Sequence, residues 1–235
     1  MVPIPLHDHI RRQTLPLLTF ALIAANVLVF FVELWLGPQV DEVVFHLGII
    51  PARYTVPHIA LRHTPSALFL PLLASMFLHG GWLHLLGNML FLFVFGRSIE
   101  DRYGHLKFLL IYLLGGLAGA LAHIILNAGS RVPTIGASGA IAGVLGAYFI
   151  SYPRARITTL VPVLFFFWTI EVPALVLLGY WFLIQFFSGY QMQAIQSATA
   201  GGVAWWAHVG GFVAGFVLAV IFRPQRRRVL EIVQL

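Results

Sequence analysis

The sequence contains no cysteine and very little charge. Without cysteine, the chain can form neither disulfides nor thiolate metal sites, and a cysteine nucleophile is excluded. Asp, Glu, Lys and Arg together make up 9% of the 235 residues, whereas about 25% is usual for a soluble globular domain. Because 60% of the residues are hydrophobic and the mean hydropathy is +0.90, the composition predicts a protein that crosses a membrane several times.

Acidic residues are scarcer than basic ones, at 8 against 14, which gives a net charge of +6. The basic residues do not form one patch interleaved with aromatic residues, so the sequence does not predict a nucleic-acid partner. They lie instead at the ends of apolar runs, which is typical of residues that set membrane topology. If both termini are cytoplasmic, 11 of the 14 Lys and Arg residues fall on the inner side. We therefore predict cytoplasmic termini.

Apolar runs of about 20 residues are long enough to span the roughly 30 Å of hydrocarbon in a bilayer. The sequence predicts six membrane-spanning helices, and hence an all-α polytopic bundle. They cover residues 17–36, 82–95, 108–126, 139–150, 173–187 and 203–222. We expect a short cytoplasmic segment at residues 1–15, a membrane domain at residues 16–222 and a basic cytoplasmic tail at residues 223–235.

The connections between these helices collect the polar and helix-breaking residues. We expect residues 37–81 to form a structural loop on the outer side, with residues 67–78 in the outer interface. Residues 188–202 carry no charge and are rich in Gln, Ser, Ala and Gly, which predicts a mobile connection suited to a gate. On the inner side, residues 157–170 are apolar but interrupted by a proline. We expect Glu171 at the start of the fifth helix, away from any catalytic site.

The fourth predicted helix is too short to cross the bilayer. Its 12 residues, 139 to 150, reach about 18 Å, so Ser138, just before it, lies below the outer membrane surface. Irregular backbone at such a depth is tolerated only where protein surrounds it or water enters. We therefore infer a water-accessible cavity at Ser138.

Two glycine patterns indicate how this serine meets a base. Gly139 begins a GxxxG pattern in the fourth predicted helix, and Gly211 and Gly215 form another in the sixth. Small residues at this spacing let two helices approach closely. Since His208 precedes Gly211 by three residues, packing of the two faces would bring its imidazole near the Ser138 hydroxyl and let it accept the proton. Each pattern alone is equally well explained by helix packing and by a buried, hydrogen-bonded histidine.

A third cluster lies at the start of the second predicted helix. His84 and Asn88 are four residues apart and therefore share one helix face. Two neutral hydrogen-bond donors at this position suit the oxyanion that develops in acyl transfer. His79 and His84 have no third histidine or carboxylate at ligand spacing, so the sequence predicts no metal site. Nothing in it implies a cofactor.

Together these residues resemble the rhomboid family of intramembrane serine proteases, of the bacterial and archaeal six-helix type. The motifs are His79-Gly-Gly-Trp-Leu-His84-Leu-Leu-Gly-Asn88, Gly136-Ala-Ser138-Gly139 and Ala207-His208-Val-Gly-Gly211. The resemblance implies that Ser138 is the nucleophile and His208 the general base and then acid. It assigns the oxyanion to His84, Asn88 and the N–H groups of Ser138 and Gly136. His79 takes a structural role near the site, as do the three motif glycines Gly139, Gly211 and Gly215.

The sequence departs from the family at Ala142, where some members carry a tyrosine stacked on the catalytic histidine. His208 must therefore be oriented in some other way. The Trp-Arg pair found in the outer loop of some members is also absent. No Asp or Glu lies in the outer half of the fourth or sixth predicted helix, so a dyad is expected instead of a Ser-His-Asp triad.

By resemblance, the expected activity is that of an endopeptidase that cuts transmembrane helices near their outer ends. Its partners would be transmembrane protein substrates and the lipid bilayer, and its location the cytoplasmic membrane of a prokaryote. The alternative is a non-proteolytic rhomboid-like protein that escorts transmembrane clients. Loss of Ser138 or His208 would favour that alternative, and both are present. A small transporter fits less well, because the chain shows no repeated halves.

Overall fold

The computed structural model describes residues 3–163, 166–194, 203–222 and 224, and within these ranges the chain is mostly helical. The helices are α1 Leu17–Leu36, α2 Val40–Leu47, α3 Ala52–Thr55, α4 Pro57–Ala60, α5 Pro65–Ala74, α6 Trp82–Phe91, α7 Arg97–Tyr103, α8 His105–Leu126, α9 Ser138–Ser151, α10 Ala174–Ala194 and α11 Trp205–Ile221. The strands are β1 Ile4–Asp8, β2 Arg156–Val163 and β3 Phe166–Pro173. Short 3₁₀ or π turns join α1 to α2, follow α5 and link α6 to α7.

Among the residues that the structure describes, four helical stretches are long and apolar enough to cross a membrane. They are Leu17–Leu47, Trp82–Tyr103, His105–Leu126 and Ala174–Met192. Helices α9 and α11 are also apolar but shorter, with 14 and 17 residues. The chain is therefore an integral membrane protein, as its composition predicts.

Helix α9 lies at the centre of the bundle. Its residues from Gly139 to Tyr148 are all buried, and it contacts α6, α8, α10 and α11. The contact with α11 is made backbone to backbone: a Cβ atom on Gly211 would collide with the carbonyl oxygen of Gly139, and one on Gly215 with that of Gly143. Glycine lets the helices approach this closely because it has no side chain to hold them apart.

A three-stranded antiparallel sheet in the order β1-β2-β3 corrects the all-α prediction. Arg156 pairs with Pro173 across the β2–β3 hairpin, and Ile4 of β1 pairs with Leu160. The Thr, Val, Ile, Phe and Trp residues that dominate the hairpin favour a pleated strand. Glu171 accordingly lies in β3, where its carboxylate is 3.6 Å from the Arg156 guanidinium, and the prediction that it starts a helix is wrong.

The segment before α1 is part of the folded unit. Asp8, at the end of β1, is completely buried. Its carboxylate pairs with Arg12 and accepts hydrogen bonds from the hydroxyl groups of Ser98 and Tyr148. A buried carboxylate is tolerated only when it is paired and hydrogen-bonded in this way. The N-terminal residues are thus fixed to α7 and α9.

Glu100 fastens the start of α1 to α7. This side chain is completely buried and accepts hydrogen bonds from the N–H groups of Leu18 and Thr19 at 2.8 and 2.7 Å. The Thr19 hydroxyl donates to it at 2.6 Å. The first N–H groups of a helix have no partner within the helix, and a negative charge is favourable at that end. The carboxylate therefore supplies both the acceptors and the charge that α1 needs.

Helix α10 runs to Ala194, well past its predicted end at residue 187. The stretch predicted as the start of a mobile loop is therefore helical, because Gln and Ala are compatible with a helix and polarity alone does not end one. Residues 195–202 of the predicted loop lie outside the described residues, as does the predicted basic tail apart from Pro224.

Candidate active site

Ser138 and His208 meet where α9 and α11 are closest. Ser138 is the first residue of α9, and His208 lies in the first turn of α11. The distance from Ser138 Oγ to His208 Nε2 is 2.7 Å, which is a short hydrogen bond. His208 is 8% exposed, so its imidazole is largely shielded by protein.

The amide of Gln185 on α10 contacts the second ring nitrogen of His208. Gln185 Oε1 lies 2.6 Å from His208 Nδ1. With the amide oxygen, which can only accept, facing the ring, this arrangement has the proton on Nδ1 and a lone pair on Nε2. That lone pair can accept the Ser138 hydroxyl proton. Gln185 was missed in the sequence analysis, although it is the only amide side chain in residues 173–187 and a buried amide requires a partner.

The aromatic neighbours of His208 come from α10 and α11. The Trp181 ring centroid is 5.7 Å from that of His208 with planes inclined at 34°, and the Trp205 ring is 6.4 Å away and nearly perpendicular. Ala142 is completely buried, and its Cβ lies 3.3 Å from the point that a Cβ on Gly211 would occupy. A larger side chain at residue 142 would push α11 away from α9. Trp181 therefore supplies the aromatic contact with His208 that a tyrosine at residue 142 makes in some family members.

His84 and Asn88 on α6 point their N–H groups at one place. His84 Nδ1 accepts the Gly80 N–H at 3.4 Å, so the other ring nitrogen, Nε2, carries the proton. A Cβ atom on Gly136 would lie 2.6 Å from His84 Nε2 and 3.8 Å from Asn88 Nδ2. Both donors therefore converge beside the backbone that leads into Ser138.

Gly136 contributes differently from the prediction. Its N–H donates to the Ser75 carbonyl at 2.8 Å, so this group is engaged and is not the oxyanion donor that the resemblance implies. Its φ of +126° and the space beside it both require glycine. Ser138 is better placed to donate, because the N–H of the first residue in a helix has no acceptor within that helix.

His79 holds Asn88 in position. Its backbone N–H donates to both carboxylate oxygens of Glu33 on α1, at 3.1 and 3.2 Å. The ring donates from Nδ1 to the Phe77 carbonyl at 3.2 Å, and Nε2 accepts from Asn88 Nδ2 at 3.0 Å. Burial, with a smaller contribution from nearby His84, lowers the pKa of His79 to about 4. The ring is therefore neutral near pH 7, as an acceptor at Nε2 must be.

A cavity of about 620 Å³ gives access to these groups. It lies between α6 and α10, with α9 behind it, and Ser138, His208, His84 and Asn88 all line it. Most of the other lining side chains are apolar, among them Leu83, Phe91, Ile141, Leu145 and Trp181. In the part of the chain that the structure describes, no three His, Asp or Glu side chains are grouped so as to hold a metal ion.

Comparison with known proteins points to one family. Residues 67–225 match the family model of the Rhomboid domain. The chain is 31% identical over 159 residues to RHOMBOID-like protein 5 of Arabidopsis thaliana and 32% identical over 149 residues to the rhomboid protease GluP of Bacillus subtilis. It is 29% identical over 223 residues to the mitochondrial Rhomboid protein 1 of Saccharomyces cerevisiae.

These alignments cover 66%, 63% and 91% of this chain, respectively. They cover 45%, 25% and 57% of the three relatives. The chain therefore spans between about a quarter and three fifths of the length of these curated relatives.

Proposed function

The chain belongs to the rhomboid family, and on that premise we propose that it is an intramembrane serine endopeptidase. It hydrolyses a peptide bond near the outer end of transmembrane helices in membrane-protein substrates. The observation that carries this proposal is the 2.7 Å hydrogen bond between Ser138 Oγ and His208 Nε2. A nucleophile within hydrogen-bond reach of an oriented base is the geometric requirement for covalent catalysis.

In the first half of the reaction, His208 Nε2 accepts the Ser138 proton as Oγ attacks the scissile carbonyl. The protonated imidazole then donates this proton to the leaving amine, and an acyl-enzyme remains on Ser138. In the second half, a water molecule enters through the cavity and attacks the ester carbonyl while His208 Nε2 accepts its proton. The protonated imidazole then returns this proton to Ser138 Oγ as the bond to the acyl group breaks. The dyad is thereby returned to its starting state.

The negative charge that develops on the substrate carbonyl oxygen requires donors that are already in place. His84 Nε2–H, Asn88 Nδ2–H and the backbone N–H of Ser138 supply them, and Gly136 leaves room for the oxygen between them. Preorganised donors in a site with little water stabilise such an oxyanion strongly. No resident metal or cofactor takes part in this scheme.

We further propose six membrane crossings with both termini cytoplasmic. Because β1 pairs with β2, the N-terminal segment and the α9–α10 connection lie on the same side of the membrane. The chain between them must therefore cross an even number of times, which α1, α6 with α7, α8 and α9 provide. Helices α10 and α11 complete the six, and the distribution of Lys and Arg favours the cytoplasm for this side.

This topology places Ser138 inside the outer half of the membrane. Helix α9 has 14 residues and spans about 21 Å, whereas the hydrocarbon core is about 30 Å thick. The scissile bond of a substrate helix must therefore descend below the surface and enter the cavity between α6 and α10. We propose the cytoplasmic membrane of a prokaryote as the location, which is supported by the similarity to the Bacillus subtilis protease.

The function is tested by labelling the purified protein with a serine-reactive fluorophosphonate. We expect a single adduct on Ser138, because His208 activates that hydroxyl. Peptide mass spectrometry locates the adduct. Ser66→Ala, which removes an exposed hydroxyl, should label at the wild-type rate and serves as the matched control for Ser138→Ala.

A folded wild-type protein that takes no label would contradict the protease assignment. If such a protein nevertheless retained a single-span membrane protein in a pull-down from detergent, the escort function would be favoured instead.

Asn88→Ala is expected to lower the cleavage rate of a single-span substrate about 10²–10³-fold, the typical effect of losing one oxyanion donor. His84 and the Ser138 N–H would remain, so activity should not vanish. Cleavage in liposomes, followed on a gel, measures the effect. Asn127→Ala removes an amide from the end of α8, away from the cavity lining, and is the control. Wild-type turnover by Asn88→Ala would remove Asn88 from the site.

A further inference from the structure

We propose that Gln185 is a positioning residue of this enzyme, which fixes the tautomer and orientation of His208 and thereby replaces the carboxylate of a triad. The inference rests on the proposed function, because a base has to be oriented only if it acts as one. No Asp or Glu oxygen is bonded to His208 in the described part of the chain; its Nδ1 partner is the Gln185 amide at 2.6 Å.

Burial shows that this contact is a specific one. Gln185 is 4% exposed although it lies on a helix whose outward residues Tyr180, Leu183 and Phe187 are all exposed. A buried amide without a partner is costly, so the side chain and its bond to His208 stabilise each other. The His208 ring is held from the other side as well, because its Nε2 is hydrogen-bonded to Ser138 Oγ.

The direction of the amide decides the chemistry. With Oε1 toward the ring, His208 is protonated at Nδ1 and can accept at Nε2. With the NH₂ group toward the ring, Nδ1 would have to accept and Nε2 would carry the proton, so the ring could no longer deprotonate Ser138. In a Ser-His-Asp triad, the carboxylate excludes the second arrangement because it cannot donate. Here the exclusion depends on the rotamer of one glutamine.

The location of Gln185 on α10 adds a second consequence. Trp181 and Gln185 are four residues apart and lie on one face of the helix, and both contact His208. Trp181 also lines the cavity, opposite α6. His208 therefore keeps both its acceptor Gln185 and its contact with Trp181 only while α10 is packed against α11.

Gln185→Met tests the proposal, because methionine keeps the length and bulk of the side chain and removes the acceptor. We expect kcat for a single-span substrate to fall about 10–100-fold, the range found when a partner that orients a metal-binding histidine is lost, with KM unchanged. Fluorophosphonate labelling of Ser138 should slow by a similar factor. Gln185→Glu restores an acceptor and should recover most of the rate. Gln191→Met, at an exposed position of the same helix, is the matched control.

A tautomer measurement separates positioning from simple packing. ¹⁵N NMR of histidine-labelled protein should show His208 protonated at Nδ1 in the wild type and a mixture of tautomers in Gln185→Met. Wild-type kinetics in Gln185→Met, with Ser138 still labelled, would overturn the role of Gln185 and leave the protease assignment standing. If Gln185→Met does not fold, the wild-type spectrum decides: a neutral His208 protonated at Nε2 would overturn the proposal.

Discussion

Replacing Ser138 with alanine is expected to abolish cleavage of a model single-span substrate while leaving the fold intact. The loss should approach the roughly 10⁶-fold seen when the nucleophile of a serine protease is removed, because in the described ranges no other hydroxyl is bonded to His208. His208→Ala should lose about as much, since the two groups act as one unit. Turnover in liposomes and the Tm of each purified variant measure the two effects.

The double variant gives the sharper result. Ser138→Ala combined with His208→Ala should be no slower than either single variant, because removing one member already disables the pair. Additive losses would mean that the two residues act independently, and measurable cleavage by Ser138→Ala would show that the nucleophile lies elsewhere. Ser66→Ala controls for the loss of a hydroxyl group as such.

Gly215→Ala is expected to destabilise the protein and reduce activity, although alanine normally favours a helix over glycine by about 1 kcal/mol. The added methyl would collide with the Gly143 carbonyl oxygen on α9. The helices must then separate, and overpacking of this kind costs about 1–3 kcal/mol. Because α9 carries Ser138 and α11 carries His208, a shift of about 1 Å should lower the cleavage rate on the order of 100-fold.

Gly179→Ala is the matched control, since the identical change on α10 places a Cβ at an ordinary 3.7 Å from Phe149. Its Tm should equal or slightly exceed that of the wild type. If Gly215→Ala raised the Tm as much as Gly179→Ala and kept full activity, the α9–α11 contact would have room for a methyl group. That contact would then not set the distance between Ser138 and His208.

Four of the six predicted membrane helices lie in described stretches that are long and apolar enough to cross a membrane, and they could be predicted because the length of an apolar run reflects the thickness of a bilayer. Helix α1 has the predicted bounds. The β2–β3 hairpin could not be predicted in this way, since apolar residues interrupted by a proline fit a membrane-surface segment as well as a strand. Its Thr, Val, Phe and Trp content was the available signal, and pairing with β1 depends on contacts distant in sequence.

Some contacts of the candidate site could be predicted from the sequence and others could not. Ser138 and His208 come together as the glycine spacing predicts, because close helix packing follows from small residues alone. The contacts of Gln185 and Trp181 with His208 could not be predicted. They depend on how α10 is rotated about its axis, and no sequence motif indicates that rotation. The Gly136 N–H was assigned by resemblance, and its bond to Ser75 is visible only once the loop before α6 is placed.

Helix α1 lies wholly before residue 67, where the match to the family model begins, yet it carries part of the support for the site. Glu33, near its C-terminal end, holds the backbone of His79, and His79 holds Asn88. At the other end, Glu100 fastens the first turn of α1. A fragment trimmed to residues 67–225 would keep every motif residue and lose the carboxylate that braces the Asn88 donor. The stretch that matches the family model is therefore shorter than the stretch that contains all the contacts supporting the Asn88 donor.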